Sequence, residues 1–253
     1  MKLKIIPGFN AYNAYRLSLA SQIAYLSPDK IEIELLKLEI QRFNFISVGD
    51  AQCYVAETDD HYLIVFRGTE SDIGDWLTDL NFDFKRHFFG LVHDGFGTSF
   101  SQLYPEILSH IRQYKEKPVF IAGHSLGAAL AGLCAIQLKM ADFDIVGVYT
   151  YGMPRIGNHM FASNYDMHLK SVTHRIVNNN DIVTRVPPRV MGYQHVGSLQ
   201  YITSTGKISA KMSCWRKFLD RINGRFDDLF SFGADGLKDH FIAKYIKQLE
   251  NKS

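Results

Sequence analysis

The sequence predicts an α/β fold: a largely parallel sheet covered by helices on both faces, extended at its margins by antiparallel strands. Three observations predict it. Apolar, β-prone runs at residues 119–122, 145–149 and 171–177 are separated by segments long enough to cross over a sheet, and residues 128–140 form a helix-prone Ala/Leu-rich stretch. The run at 119–122 leads directly into Gly123-His124-Ser125-Leu126-Gly127, so strand, tight turn and helix follow one another without a spacer. Finally, the 253 residues are 46% hydrophobic, 13% aromatic and 21% charged, with no repeat or low-complexity tract, which suits one α/β domain over residues 1–253 with a substantial core.

The elements follow in order. Residues 10–43 read as two helices broken at Ser27-Pro28, with Ser27 as N-cap and Pro28 as first helical residue. Strands at 53–57 and 62–66 are joined through the turn-prone Asp59-Asp60. A helix is expected at 99–115, then strand 119–122, helix 128–140, strand 145–149, a loop, strand 171–177 and a polar loop at 178–181. Alternation over 193–203 and a turn at Gly206 predict a hairpin, and a helix over 239–250 ends the pattern. Residues 118–138 carry no formal charge, nominally enough for a bilayer span of about 20 residues. Three glycines, His124 and Ser125 divide that stretch into strand, turn and buried helix instead.

Composition and motifs narrow the classes of function, although charge alone does not exclude a polyanion partner. Lys and Arg exceed Asp and Glu by only two, which leaves no general electrostatic footprint for nucleic acid. There is no HExxH, no P-loop and no dinucleotide fingerprint; Gly95 and Gly97 supply only G-x-G. Asp59-Asp60-His61 is explained by turn chemistry, so no metal is expected, and the serine chemistry expected at Ser125 requires no cofactor. Cys53, Cys134 and Cys214 have no metal or disulfide spacing and are read as buried free thiols. The first residues, MKLKIIPGFN, contain no apolar h-region before Pro7 and Gly8, from which a cytoplasmic location is expected.

The chemistry is expected at Ser125. In G-x-S-x-G, a nucleophilic serine projects from the carboxyl end of a strand on a strained turn, so the residues two positions either side must lack side chains. The following helix aims its free N–H groups at a developing oxyanion. Serine is inert near neutral pH without a base and an orienting carboxylate, and this topology places them in the order Ser, Asp or Glu, His. Asp142 and Asp144 precede a strand at the wrong end of the sheet, and Asp166 falls on an amphipathic segment. Asp181 follows strand 171–177 in a loop of turn-prone Asn residues and is preferred, with loop capping as its plain alternative. For the base, His240 at the mouth of the last helix is preferred to His195, whose alternating neighbours place it in a strand. His93 and His124 are read as packed residues close to the site.

These residues coincide with a known pattern. Phe66-Arg67-Gly68-Thr69, Trp76 with Asp79-Leu80, Val92-His93-Asp94-Gly95-Phe96, Gly123 to Gly127, Tyr151-Gly152-Met153-Pro154-Arg155, Asn180-Asp181, His195-Val196-Gly197 and Asp239-His240 occur in one order, and the chain resembles the class 3 lipase family of α/β-hydrolases. The resemblance implies the α/β-hydrolase fold with a helical lid, and Ser125, Asp181 and His240 as a catalytic triad. It implies Thr69 as oxyanion residue beside the N–H of Leu126. It also implies a mobile lid over residues 71–82, where Ile73, Trp76, Leu77 and Leu80 keep i, i+3, i+4, i+7 spacing; the plain alternative is a fixed amphipathic helix. A second amphipathic segment over 211–230, with Lys211, Arg216, Lys217, Arg221 and Arg225 on its polar side, is read as a packed helix with a solvated basic face, or as a contact to anionic lipid.

The expected activity is hydrolysis of carboxylic esters of acylglycerol-type lipids through an acyl-enzyme, with a lipid ester as substrate, transient contact with a lipid interface and no nucleic acid. Phospholipase or lysophospholipase action on the same site is the alternative in chemistry. A non-catalytic lipid-binding module retaining the fold is the alternative in class.

Overall fold

A computed structural model describes residues 1–69, 73–79, 81–210, 233–250 and 252. Helices α1 (Ala11–Ile23) and α2 (Pro28–Lys37) precede strands β1 (Arg42–Val48), β2 (Ala51–Glu57) and β3 (Tyr62–Phe66). Helix α3 (Ile73–Asp79), the hairpin β4 (Phe84–His87) and β5 (Gly90–His93), and helix α4 (Asp94–Ile111) follow. Then come β6 (Val119–His124), α5 (Leu126–Met140), β7 (Ile145–Tyr151), β8 (Gly157–Asn158), α6 (His159–Leu169) and β9 (Thr173–Asn178). The described chain closes with β10 (Tyr193–Gln194), β11 (Ser198–Ile202), β12 (Ile208–Ser209), α7 (Gly233–His240) and α8 (Ile242–Glu250).

Eight strands form the main sheet in the order β1-β2-β3-β6-β7-β9-β11-β12. The five from β3 to β11 run parallel, and β1, β2 and β12 pair antiparallel at the two margins. Every residue of β3, β6 and β9 is buried, because helices cover both faces. The period-two alternation of a strand then divides the core in two. Tyr62, Ile64, Phe66 and Ile121 face a cluster built with α4, α5 and α6, whereas Leu63, Val65, Phe120 and Ala122 face one built with α1, α2 and Tyr245 and Leu249 of α8. Helix α5 is buried nearly all round from Gly127 to Ile136, so the uncharged stretch is a core strand and a core helix, as expected. No described helix is long and apolar enough to cross a membrane.

The structure departs from the sequence reading where local signals are short or mixed. Residues 42–43, expected at a helix end, open β1, a largely exposed margin strand whose polar positions mask its period. Helix α4 begins at Asp94, five residues before the helix expected at 99–115, and runs through Gly95 and Gly97; His93 caps it by accepting from Phe96 N–H. Helix α6 occupies the expected loop before β9. The last expected helix is two, broken at Phe241, so His240 closes α7 and does not open the final helix. His195 lies between β10 and β11, outside either strand. A second sheet, β10-β8-β5-β4, was not anticipated, its strands being too short to show a period. The basic amphipathic segment over 211–230, and Cys214 within it, lie outside the described residues.

Cys53 and Cys134 are free and buried in the core, and burial pushes both thiols above their ordinary range. A thiol reagent applied to the native protein is therefore expected to leave both unmodified, and to label both once the chain is unfolded. Peptide mapping checks this position by position; labelling of either in the native state would contradict the packing.

Candidate active site

The site is built where β6 ends. Ser125 lies between β6 and α5 with φ 58° and ψ −128°, a left-handed conformation that costs a non-glycine residue about 1–3 kcal/mol. The turn is tight enough that a Cβ on Gly123 would collide with the backbone of Gly127, and one on Gly127 with the backbone of Phe66 and Arg67. Both glycines are thus required by close approach. Ser125 N–H donates to Tyr151 O at 2.9 Å, which pins the turn to the end of β7. The end of β3 crosses the same point: a Cβ on Gly68 would fall on the Tyr25 hydroxyl and within 2.8 Å of His124 O. Thr69 is the next residue, and its Oγ1 is buried without a hydrogen-bond partner among the described residues. Leu126 opens α5, placing its N–H at that helix's N-terminus.

Asp181 lies beyond the end of β9 and His240 at the end of α7, and both side chains are fully buried. His240 Nδ1 is 2.9 Å from each carboxylate oxygen of Asp181. Asp181 also accepts from Val183 N–H at 2.9 Å and from the Tyr245 hydroxyl at 2.5 Å. Burial alone would raise the carboxyl's pKa; the His240 charge and the hydrogen bonds from His240 and Tyr245 outweigh it and hold the pKa below 3.8. The ring orientation leaves Nε2 of His240 buried and without a hydrogen-bond partner among the described residues. Gly152, next to the Tyr151 carbonyl that holds Ser125, is where elbow and pair meet. A Cβ there would lie 2.7 Å from Asp181 Oδ2 and 2.7 Å from His240 Nδ1 and Cε1. Its φ of +61° adds a second reason for glycine.

The loop that carries Asp181 is clamped from α7. Asp239 accepts from Asn179 Nδ2 and Asn180 N–H through one carboxylate oxygen, and its carbonyl accepts from Asn178 Nδ2. The polar loop thus belongs to the machinery that sets the spacing of Asp181 and His240.

Helix α3 covers this loop. Leu77 is buried in a small separate cluster with Ile182, Val183 and Val186, joined by Trp76 and Leu237, and Trp76 also packs on the main core. Asp75 and Asp79 are exposed, so the amphipathic pattern is realised. Residues 70–72 and Leu80, and the Ile73 side chain, lie outside what is described.

The structure thus pairs Asp181 with His240 beside Gly152, next to the Tyr151 carbonyl that holds the Ser125 turn, with Leu126 opening α5 there and α3 packed on the Asp181 loop. The rejected candidates lie elsewhere. Asp142 is exposed and 3.8 Å from Lys115. Asp166 pairs with Lys170 and accepts from Gly197 N–H. His195 bonds through Nε2 to Thr184 O; burial and the neighbouring Arg175 and Arg155 charges push its pKa well down, and it stays neutral. His93 is a packed cap stacked on Phe96. Sequence reasoning missed Tyr245, which sits on the buried face of an ordinary amphipathic helix. It also missed Gly152's function, although Gly152 is part of the quoted Tyr151 to Arg155 motif. No described group of His, Cys, Asp or Glu could hold a metal ion.

Tyr245→Phe removes a charged-acceptor hydrogen bond and leaves Asn178 N–H without its acceptor at 3.1 Å. At neutral pH the variant is expected to lose about 1.5–3 kcal/mol of unfolding free energy. Because the folded pKa of Asp181 is depressed, its contribution is complete above the unfolded value and is lost as pH falls through the folded one. The difference between variant and wild type should therefore shrink in acid; urea denaturation at neutral and acid pH measures it, and an equal difference at both would contradict the assigned bond.

Comparison with known proteins places this geometry. The model of the family "Lipase (class 3)" matches residues 63–191, about half of the chain, from β3 through the turn after Pro188. The chain is 39% identical over 127 residues to the secreted mono- and diacylglycerol lipase LIP1 of Malassezia globosa, covering 48% of this chain and 41% of that one. It spans less than half the length of that relative and of the other Malassezia lipases it matches. A solved triacylglycerol lipase, whose catalytic centre is a serine protease triad, superposes with a TM-score of 0.67 at 26% identity over 85% of this chain and 95% of that one. A fungal lipase–inhibitor complex that models interfacial activation gives a TM-score of 0.63 at 27% identity, over 79% and 84%. Several relatives are named as secreted, and this overturns the cytoplasmic location expected from the first residues. The sheet order, the turn at Ser125 and the matched family model agree: the chain belongs to the class 3 lipase family, on an α/β-hydrolase fold.

Proposed function

We propose that this chain, as one α/β domain, hydrolyses carboxylic esters of lipids, mono-, di- or triacylglycerols among them. The observation that carries the reading is the buried imidazole of His240, fixed through Nδ1 to Asp181 with no partner for its Nε2 among the described residues, beside the Tyr151-Gly152 segment that holds the strained turn of Ser125. Nδ1–H donates to the carboxylate, so the lone pair lies on Nε2, the tautomer a general base needs. The Ser125 hydroxyl attacks the ester carbonyl as Nε2 takes its proton. The oxyanion forms against the N–H groups of Leu126 and Thr69 at the N-terminus of α5 and the end of β3, where donors aimed at developing charge contribute most. His240 then protonates the departing alcohol, leaving the acyl group on Ser125. Water repeats the sequence, its proton passing to His240 and back to Ser125 as the carboxylic acid leaves. Asp181 stays ionised throughout and stabilises the imidazolium.

Helix α3 is the lid in this reading. In water its apolar side, Trp76 and Leu77, rests on the Asp181 loop and shields the groove; at a lipid surface the same side turns outward and opens it. The named relatives' acylglycerol substrates and the interfacial model of a fungal lipase support the substrate class and the interface.

The test is hydrolysis of emulsified acylglycerols and of dissolved short-chain esters by the wild type, Ser125→Ala and Asp181→Asn. Wild-type turnover is expected on both, with losses of at least about 10⁴-fold for each variant. Turnover by Ser125→Ala near the wild-type rate, or no ester turnover by a folded wild type, would contradict the proposal. For the lid, Trp76→Ala is expected to lower the ratio of emulsion to dissolved-ester rates; wild-type rates on both would remove that role.

A further inference from the structure

Beside the pair formed by Asp181 and His240 lies a second buried histidine that the reaction does not use. The rings of His124 and His240 are 4.6 Å apart, centroid to centroid. His124 Nε2 is 2.7 Å from the backbone oxygen of His240, and its Nδ1 is 2.8 Å from the Tyr25 hydroxyl. A carbonyl only accepts, so Nε2 carries the proton, and in a neutral ring Nδ1 must then accept. The Tyr25 hydroxyl therefore donates to Nδ1, and it lies against Gly68, where a Cβ would fall on its oxygen. The bonds from Tyr25 through His124 to the His240 carbonyl run in one direction, and the Tyr25 end rests on Gly68.

Each end of that chain belongs to a different part of the site. Gly68 precedes Thr69, His124 precedes Ser125, and the accepting carbonyl is that of the base itself. Tyr25, just beyond α1, is the only one of the four contributed by the chain before β1. We propose that Tyr25 and His124 are positioning residues, a hydrogen-bonded strut that sets the mutual placement of the oxyanion loop, the nucleophile and the base. The proposal rests on the hydrolase reading above for its kinetic consequence, and on geometry alone for the bonds.

Two features fit a strut. Gly68 has no room for a side chain between the Tyr25 hydroxyl and His124 O. Burial and the adjacent His240 charge hold the His124 pKa down to about 3, so the ring stays neutral in one tautomer. With both nitrogens occupied, His124 has no lone pair with which to compete for the serine proton. It can sit against the base without diverting the reaction.

The test uses Tyr25→Phe, His124→Gln and the double variant, assayed on a dissolved ester, with active sites counted by a fluorophosphonate probe. ¹⁵N imidazole spectra are recorded on wild type and Tyr25→Phe. Gln keeps a donor for the His240 carbonyl but loses the acceptor for Tyr25. The expected results are a fall in kcat per active site of about tenfold or more in each single variant, KM within about twofold, and a double variant no worse than the weaker single. A purely structural role would lower the number of active sites and leave kcat per site unchanged. The spectra should show wild-type His124 protonated on Nε2 with Nδ1 accepting a hydrogen bond, and that bond lost in Tyr25→Phe. Unchanged kcat per site in Tyr25→Phe, additive losses in the double variant, or a His124 protonated on Nδ1 would overturn the strut. An inactive wild type would defeat the hydrolase reading instead, and the spectra would still decide the bonds.

Discussion

The structure around the site depends on one buried hydrogen bond, between the imidazole of His240 and the carboxylate of Asp181. An ionised carboxylate without solvent exposure is costly unless its lone pairs are filled, and removing one partner strands the charge. Here the lone pairs are filled from three directions: the loop's own Val183 N–H, the Tyr245 hydroxyl from α8, and the imidazole from the end of α7. The requirement to satisfy that charge draws two separate helices onto the end of β9. It also explains why Gly152 has no side chain, since the pair occupies the space a Cβ would take.

Around that bond, the sheet acts as a positioning device. Parallel strands with both faces buried end at one edge, and β3, β6, β7 and β9 deliver Gly68, Ser125, Gly152 and the Asp181 loop to it in spatial order. The loop is then loaded from outside by α3, whose Leu77 shares a small cluster with Ile182 and Val183, the residues directly after Asp181. Helix α3 is thus in contact with the segment that holds the carboxylate. Any movement of α3 is felt at Asp181 through that packing, because close-packed cores transmit displacement.

Much of this was legible in the sequence where side-chain chemistry and backbone geometry constrain each other. Gly123 and Gly127 flanking Ser125 between an apolar strand and a small-residue helix define the turn, and the order Ser, Asp, His selects among the acids and histidines. The contact of His240 with Asp181 matches the sequence preference although its element was misread: α7 and α8 merge into one amphipathic pattern, and the break at Phe241 has no Pro or Gly to announce it. Strands β4, β5, β8 and β10 were invisible, because two to four residues cannot show a period. Tyr25 and Tyr245 were invisible for another reason. A tyrosine in a helical stretch reads as packing, and only the fold shows that its hydroxyl meets a histidine or a carboxylate from a distant part of the chain.

The most direct test of the account is the crystal structure of the protein after reaction with an alkyl phosphonate that mimics the tetrahedral intermediate. The account predicts phosphorus bonded to Ser125 Oγ, the phosphoryl oxygen within hydrogen-bond reach of the N–H groups of Leu126 and Thr69, and His240 Nε2 facing the adduct with Nδ1 still on Asp181. An adduct on another residue, or an imidazole of His240 turned away from phosphorylated Ser125 with the Asp181 bond broken, would contradict it.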